Sequence, residues 1–179
     1  GALVAMVAVM LVAGHARAQA ADKPGRPNII VILADDLGYT DVGCFGSQYY
    51  ETPNIDLLAA QGTKFLNYHH CQNCAPTRAA LMSGQYGART GVYTVGGIER
   101  FDWSMRPLRP VDNVTQLPLD RDTVADQLKA AGYATAMFGK WHLGQSAAYH
   151  PAKRGFDEAI VCSSSHFNFT TDPKVDYPS

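Results

Sequence analysis

Apolar and polar residues follow one another along this chain in blocks that predict strands interleaved with helices. After a Pro/Gly linker at 21–27, the stretch NIIVILADD is a continuous β-branched run. Such a run is typical of a strand buried on both faces of a parallel sheet. YATAMFGKWHLG predicts a later strand, and TKFLNYHH predicts a short one between them.

Three helices are predicted between and after these strands. ETPNIDLLAAQG has Thr52 as its N-cap and Gly62 just past its end, which are the residue types that favour helix termini. PTRAALMSGQ predicts a helix that begins at Pro76, because proline suits the first helical turn. RDTVADQLKAAGY predicts a third helix, capped by Asp122 or Thr123.

The order of these elements predicts an α/β fold. Strands that alternate with helices imply a mainly parallel sheet with helices on both of its faces. We expect residues 28–179 to belong to one domain, because this length suffices for one sizeable core. Residues 92–121 have no clear periodicity, and they predict a long surface loop of the kind that often carries function.

The composition and net charge of the chain limit the kinds of molecule that it is expected to bind. The chain has 179 residues, 46% of them hydrophobic and 17% charged, with a formal net charge of -1. A near-neutral chain has no electrostatic attraction for nucleic acid or for an anionic membrane surface. We therefore expect neither as a partner.

The N-terminal segment predicts export. ALVAMVAVMLVAG is too short to span a bilayer, and Ala18 and Ala20 supply the small residues of a signal-peptidase site. Residues 1–20 are therefore interpreted as a signal peptide without its positively charged start, and the alternative is a buried N-terminal helix. We expect a periplasmic or secreted protein, with no membrane attachment after cleavage.

Two adjacent carboxylates end the first predicted strand. Ligands of parallel sheets gather beyond the carboxyl ends of the strands, and Asp35 and Asp36 lie at such an end. Neighbouring carboxylates repel each other unless a cation neutralises them, and their oxygens suit Ca²⁺ or Mg²⁺. The alternative is a solvated turn, since Asp-Asp-x-Gly is good turn chemistry.

A lysine and a histidine stand at the end of the later strand. Lys140 and His142 are two residues apart, so a continuing strand would direct both side chains to one face of the sheet. Together they could hold an anion or protonate a leaving group. The alternative is a pair of edge residues with no catalytic part.

A cysteine precedes the second predicted helix. Cys74 lies near a helix N-terminus, where unpaired N–H groups favour an anion, and Arg78 adds a guanidinium suited to an oxyanion. Such surroundings favour a thiolate, so we expect a reactive Cys74. Cys71 and Cys74 also form a C-x-x-C pair, so a thiol-disulfide protein is an alternative. With Cys44 and Cys162 they allow three full disulfide pairings.

Taken together, these motifs resemble type I sulfatases, the arylsulfatase-like enzymes of the alkaline phosphatase superfamily. CAPTR at 74–78 is similar to their C-x-P-x-R signal, and GYATAMFGKWHLG is similar to their second signature. PNIIVILADDLGYTDVGCFG and TPNIDLLAAQGTKF resemble their N-terminal metal strand and first helix. The resemblance runs from about Pro27 to about Asp157, and it implies that the chain is an N-terminal part of the catalytic domain.

The resemblance implies a role for each matched residue. Cys74 would be converted to Cα-formylglycine by a formylglycine-generating or sulfatase-maturing enzyme. Its hydrate would attack a sulfate ester. Ca²⁺, or Mg²⁺ as the alternative, would be bound by Asp35, Asp36 and the modified Cys74. The remaining catalytic and substrate-binding positions would be Arg78, Lys140, His142, Ser165 and His166.

The activity implied is a sulfuric ester hydrolase acting on aryl or carbohydrate sulfates. A phosphonate or phosphate ester hydrolase on the same scaffold is the mechanistic alternative. The family also uses a downstream Asp-Asn pair and a further lysine, and the resemblance implies that both lie beyond these 179 residues. We therefore expect this part of the chain alone to have little or no activity.

Overall fold

A computed structural model describes residues 25–162 and 175–176 of the chain. The chain divides into two units, residues 1–33 and residues 34–179. The predicted signal peptide lies outside the described residues. Among these residues, no helix has the length and apolar character needed to cross a membrane.

The described part of the first unit, residues 25–33, contains no helix or strand. Ile30 and Ile32 are 85% and 84% exposed. The strand predicted for NIIVILADD is therefore wrong for this structure. β-branched residues favour a strand only where a neighbouring strand pairs with them and side chains cover their faces, and no strand among the described residues pairs with this segment.

The second unit contains four α-helices in the part of the chain that is described. They are α1 (Pro53–Gln61), α2 (Cys74–Ser83), α3 (Gly87–Thr90) and α4 (Val124–Ala130). The predicted ends of α1 are confirmed, with Thr52 at the N-cap and Gly62 at the C-cap. Helix α4 is confirmed as well, since the Thr123 hydroxyl accepts from the Asp126 N–H and the Asp126 carboxylate accepts from the Thr123 N–H.

Helix α2 begins two residues earlier than predicted. Its first residue is Cys74 and its N-cap is Asn73, so Pro76 occupies the third helical position. Proline fits there because the first four N–H groups of a helix have no partner within the helix. The shift places Cys74 in the first turn itself and not before it.

Three short strands form the described sheet. They are β1 (Ala136–Lys140), β2 (Glu158–Cys162) and β3 (Val175–Asp176), in the order β1-β2-β3. Strands β1 and β2 are parallel, and β2 and β3 are antiparallel. The later predicted strand is thus confirmed as β1. The short strand predicted for TKFLNYHH is wrong, because the segment has no ladder partner among the described residues and its Phe65 and Leu66 are exposed.

The predicted loop at 92–121 is confirmed, with a single 3-10 turn at Ile98–Arg100 inside it. Asn113 holds this loop together. Its Oδ1 accepts from the backbone N–H groups of Tyr93 (2.6 Å) and Thr94 (3.1 Å). Its Nδ2 donates to the carbonyls of Thr94 (3.0 Å) and Gly96 (2.7 Å). One side chain therefore fixes four backbone groups.

The core lies among α2, α4, β1 and β2. It includes Ala79, Val92, Leu117, Leu143 and Ala159, all fully buried. Trp141 packs edge-to-face on Phe156, with ring centroids 6.1 Å apart. Because Trp141 and Leu143 are both buried, the core fixes the chain on either side of His142.

Candidate active site

Asp35 lies between two cations that come from distant parts of the chain. Its Oδ1 is 3.2 Å from Nη2 of Arg78, and its Oδ2 is 2.6 Å from Nζ of Lys140. Arg78 belongs to α2, and Lys140 is the last residue of β1. The carboxyl end of the strand and the first turns of the helix therefore meet at one carboxylate.

The charges of this cluster reinforce one another. The hydrogen bond from Lys140 lowers the pKa of Asp35, and Arg78 adds to this effect against the opposing effect of burial. Burial would lower the pKa of Lys140, but the hydrogen bond with Asp35 and the neighbouring Cys74 raise it overall. Asp35 and Lys140 are therefore charged at neutral pH, and with the guanidinium of Arg78 the cluster has a net positive charge. Cys74 is close enough to Lys140 to contribute to this rise in the lysine's pKa.

Arg78 links α2 to β1 through a hydrogen bond. Only 8% of the residue is exposed, and its Nη1 donates to the Lys140 carbonyl at 2.5 Å. Its Nε is buried and has no hydrogen-bond partner among the described residues. A buried guanidinium nitrogen without a partner is costly, so this nitrogen is available to an acceptor that enters the site.

Cys74 occupies the start of α2, where backbone N–H groups carry partial positive charge. The Thr77 hydroxyl donates to the Asn73 carbonyl at 2.7 Å and lies 3.0 Å from the Cys71 carbonyl. It thereby holds the chain just before the helix. Cys71 and Cys74 are both free thiols in the structure, as is Cys44. The side chain of Cys162 lies outside the described part.

His142 is not part of the strand, so its predicted geometry is wrong. Strand β1 ends at Lys140, and His142 has a left-handed backbone with φ of 61°. Two-residue periodicity therefore does not set its direction. Its pKa is lowered by burial and by the positive charges of Lys140 and Arg78, while Asp35 opposes them. The imidazole is consequently neutral at pH 7 and able to accept a proton.

Asp36 stands apart from the cluster. It is exposed, has φ of 58° and makes no hydrogen bond or ion pair with another described residue. Within the described ranges, no three His, Cys, Asp or Glu side chains are grouped closely enough to hold a metal ion. The two neighbouring carboxylates have the right donor chemistry for Ca²⁺, but this ion takes six to eight oxygen ligands. The described residues therefore supply only part of a metal site.

A cavity of about 660 Å³ adjoins His142, which forms part of its wall. Other wall residues include Gln145, Ser146 and Lys153. Sequence reasoning missed them, because the segment QSAAYHPAK has turn residues but no motif that marks a ligand wall. Ser165 and His166, the predicted substrate-binding residues, lie outside the described residues.

Comparison with known proteins gives consistent matches. The family model described as Sulfatase matches residues 27–179. Arylsulfatase G of Rattus norvegicus is 40% identical over 155 residues, covering 86% of this chain and 27% of that protein. N-acetylgalactosamine-6-sulfatase of Sus scrofa is 40% identical over 145 residues, covering 80% of this chain and 27% of that protein.

Solved structures agree with these matches. The crystal structure of Ps i-CgsB in complex with k-i-k-neocarrahexaose is similar with a TM-score of 0.64 and 41% identity. The similarity covers 77% of this chain and 28% of that one. The chain thus spans about a quarter of the length of the proteins it matches.

Proposed function

This chain belongs to the sulfatase family, and from that membership we propose that the full-length protein hydrolyses sulfate esters with residue 74 as its nucleophile. One observation carries the proposal. Arg78 and Lys140 converge on Asp35 beside Cys74, at a helix N-terminus. Fixed cations and backbone N–H groups in such a place stabilise charge on sulfuryl oxygens as it develops.

The nucleophile in this proposal is a modified Cys74. Its conversion to Cα-formylglycine by a formylglycine-generating or sulfatase-maturing enzyme would supply a hydrated aldehyde. One hydroxyl would lose its proton and attack sulfur, the S–O bond to the alcohol would break, and the alcohol would leave with a proton. The second hydroxyl would then lose its proton, and the C–O bond to sulfate would break, so that sulfate leaves and the aldehyde is regenerated. Lys140 holds a sulfate oxygen, and Arg78 presents its Nε, which has no partner among the described residues, to the same anion or to the hydrate. His142, neutral at pH 7, accepts the proton that the nucleophilic hydroxyl loses.

A divalent cation completes the proposed site. Asp35, Asp36 and residue 74 would hold Ca²⁺, or Mg²⁺, and the ion would supply Lewis-acid polarisation of the sulfate group. Because the described residues give only part of a ligand set, we infer that further ligands come from the remainder of the full-length protein. We expect residues 21–179 by themselves to have little or no activity for the same reason.

The proposed substrates are aryl or carbohydrate sulfates. Curated relatives are named as an arylsulfatase and an N-acetylgalactosamine-6-sulfatase, and one solved relative is a complex with an oligosaccharide. A phosphate or phosphonate ester presents a similar tetrahedral anion, so we propose a direct comparison of matched sulfate and phosphate esters. We also propose export to the periplasm or the exterior, consistent with the predicted signal peptide at 1–20.

Mass spectrometry of the tryptic peptide 65–78 tests the nucleophile. The protein would be produced at full length together with a maturing enzyme. Formylglycine lowers the mass of the cysteine residue by roughly 18 Da, because the CH₂SH group is replaced by an aldehyde. The same peptide contains Cys71, so fragmentation must place the change on Cys74 and leave Cys71 unaltered.

Other outcomes of the same measurement have clear meanings. Two unaltered thiols in cells with a proven maturing enzyme would overturn the proposed nucleophile. A reversible loss of two hydrogens shared between Cys71 and Cys74 would instead support the thiol-disulfide alternative. Preferential release of phosphate from matched esters would support the phosphate hydrolase.

A further inference from the structure

We propose that the cavity beside His142 binds the alcohol part of the substrate, and that this alcohol is a carbohydrate with a second anionic group that contacts Lys153. The inference rests on the proposed function, since it assigns the leaving group of that reaction. The cavity is about 660 Å³ in volume, which lies within the range of small-molecule sites.

His142 connects the cavity to the charged cluster. It forms part of the cavity wall, and the charges of Lys140, Arg78 and Asp35 all act on its imidazole. His142 therefore borders both the cavity and the cluster, and we assign the alcohol part of a sulfate ester held by Lys140 to this cavity.

The wall chemistry favours a ring with hydroxyl groups. Gln116, Gln145 and Ser146 line the cavity, and none of these side chains has a hydrogen-bond partner among the described residues. The indole N–H of Trp141 already donates to the Tyr149 carbonyl at 2.8 Å, so Trp141 contributes apolar surface. A sugar can pair its hydroxyl groups with these polar side chains, whereas an aryl ring offers them no hydrogen-bond partner.

Lys153 gives the cavity its charge. Its side chain is exposed, lines the cavity and makes no ion pair within the described ranges. No Asp or Glu belongs to the described lining of the cavity. A cation without a neighbouring carboxylate attracts an anion, so a carboxylate or a second sulfate on the sugar is the matching group.

Kinetics of the matured, full-length protein test this assignment. Two sulfated sugars that differ only in a carboxylate against a hydroxymethyl group would be compared with a small aryl sulfate. We expect Lys153→Gln to lower kcat/KM about tenfold for the carboxylate sugar, because a charge-assisted hydrogen bond is lost. The hydroxymethyl sugar and the aryl sulfate should change less than about twofold.

Two further variants control for effects of charge and fold. Lys153→Arg should keep the preference for the carboxylate sugar, because the positive charge remains. Arg109→Gln removes the same charge from an exposed pair with Asp112 that does not line the cavity, and it should change none of the three rates. Thermal unfolding of each variant would verify that all are folded to the same extent.

The outcomes separate this inference from the proposed function. If Lys153→Gln changes all three substrates equally, or changes none, the assignment of the cavity is wrong while sulfate hydrolysis stands. If the carboxylate sugar is never preferred by the unsubstituted protein, the second anionic group is wrong. If no sulfate ester is cleaved by protein with converted Cys74, the proposed function fails, and this inference fails with it.

Discussion

Arg78 and Arg154 are both buried, but their guanidinium groups have different roles. Arg154 is 3% exposed and donates to the carbonyls of Leu117, Pro118 and Arg121 at 2.8 to 3.2 Å. Its hydrogen bonds are all to backbone, so it fixes a loop. Arg78 bonds one carbonyl and one carboxylate and keeps Nε unpaired within the described residues. This Nε–H group can therefore still donate a hydrogen bond to a ligand, as a binding site requires.

Replacement of Arg78 by lysine should therefore damage catalysis. An ammonium is a point charge and cannot bond Asp35 and the Lys140 carbonyl while it also presents a donor to substrate. We expect kcat/KM of the matured protein to fall by about 10²-fold or more, the scale of losing one donor to a developing oxyanion. Arg154→Lys is the matched control and should lower the melting temperature without changing kcat/KM of the folded protein. A wild-type rate in Arg78→Lys would remove Arg78 from the proposed mechanism.

At the scale of elements, helix ends that depend on local capping could be predicted from sequence, whereas of the three predicted strands the described residues form only β1. Thr52, Gly62 and Thr123 mark helix ends through hydrogen bonds to residues only a few positions away, and such local chemistry is visible in sequence. A strand depends on a partner that is distant in the chain. NIIVILADD and TKFLNYHH have strand composition, yet neither has a strand partner among the described residues.

The cap of α4 is expected to contribute measurable stability. The Thr123 hydroxyl accepts from Asp126 at 3.2 Å and donates to the buried carbonyl of Arg154 at 2.8 Å. Thr123→Ala should lower the free energy of unfolding by about 1 to 2 kcal/mol, measured by urea titration. Thr123→Ser keeps the hydroxyl and should recover most of the loss. Equal losses in both variants would show that the hydroxyl contributes little.

Asp157, the residue just before β2, should make the stability of the fold depend on pH in the acidic range. Hydrogen bonds lower the pKa of Asp157 from 3.8 to about 2. The one from Lys129 has the largest effect, and those from the backbone and hydroxyl of Thr135 add to it. A depressed pKa means that this carboxylate stabilises the folded state above pH 4 and loses that contribution as the pH falls toward 2.

Unfolding titrations at pH 5 and pH 2.5 would measure this contribution. Asp157→Asn removes the ionisable group, so the loss of stability between the two pH values should be smaller in this variant than in the unsubstituted chain. Asp112→Asn, in an exposed pair with Arg109, is the matched control and should leave the loss unchanged. The same pH dependence in all three proteins would contradict the role of Asp157.

At the scale of the whole molecule, the candidate site is assembled from segments that only the fold brings together. The sequence predicts Asp35 and Lys140 at strand ends and Arg78 near the start of a helix as site residues, and the three lie together in the structure. The direction of His142 could not be predicted, because it depends on where β1 stops. The cavity could not be predicted either, since its wall combines side chains from separate loops.

The chain spans about a quarter of the length of its relatives, and this fact carries a prediction about activity. We expect residues 21–179, matured at Cys74, to release sulfate at less than about one-thousandth of the full-length rate, because an unfilled metal shell removes Lewis-acid stabilisation. Release of sulfate from an aryl sulfate, with excess Ca²⁺ present, would measure this. Full activity in the short form would show that Asp35, Asp36 and residue 74 suffice.

The four hydrogen bonds of Asn113 have a consequence for the choice of expression host. Asn113, Val114 and Thr115 form the Asn-X-Thr sequence that eukaryotic secretory pathways glycosylate. A glycan attached to Nδ2 replaces one of its two hydrogens, so the Thr94 or the Gly96 carbonyl would lose its donor. Oligosaccharide transfer during synthesis would therefore compete with closure of this loop. A bacterial host avoids that competition.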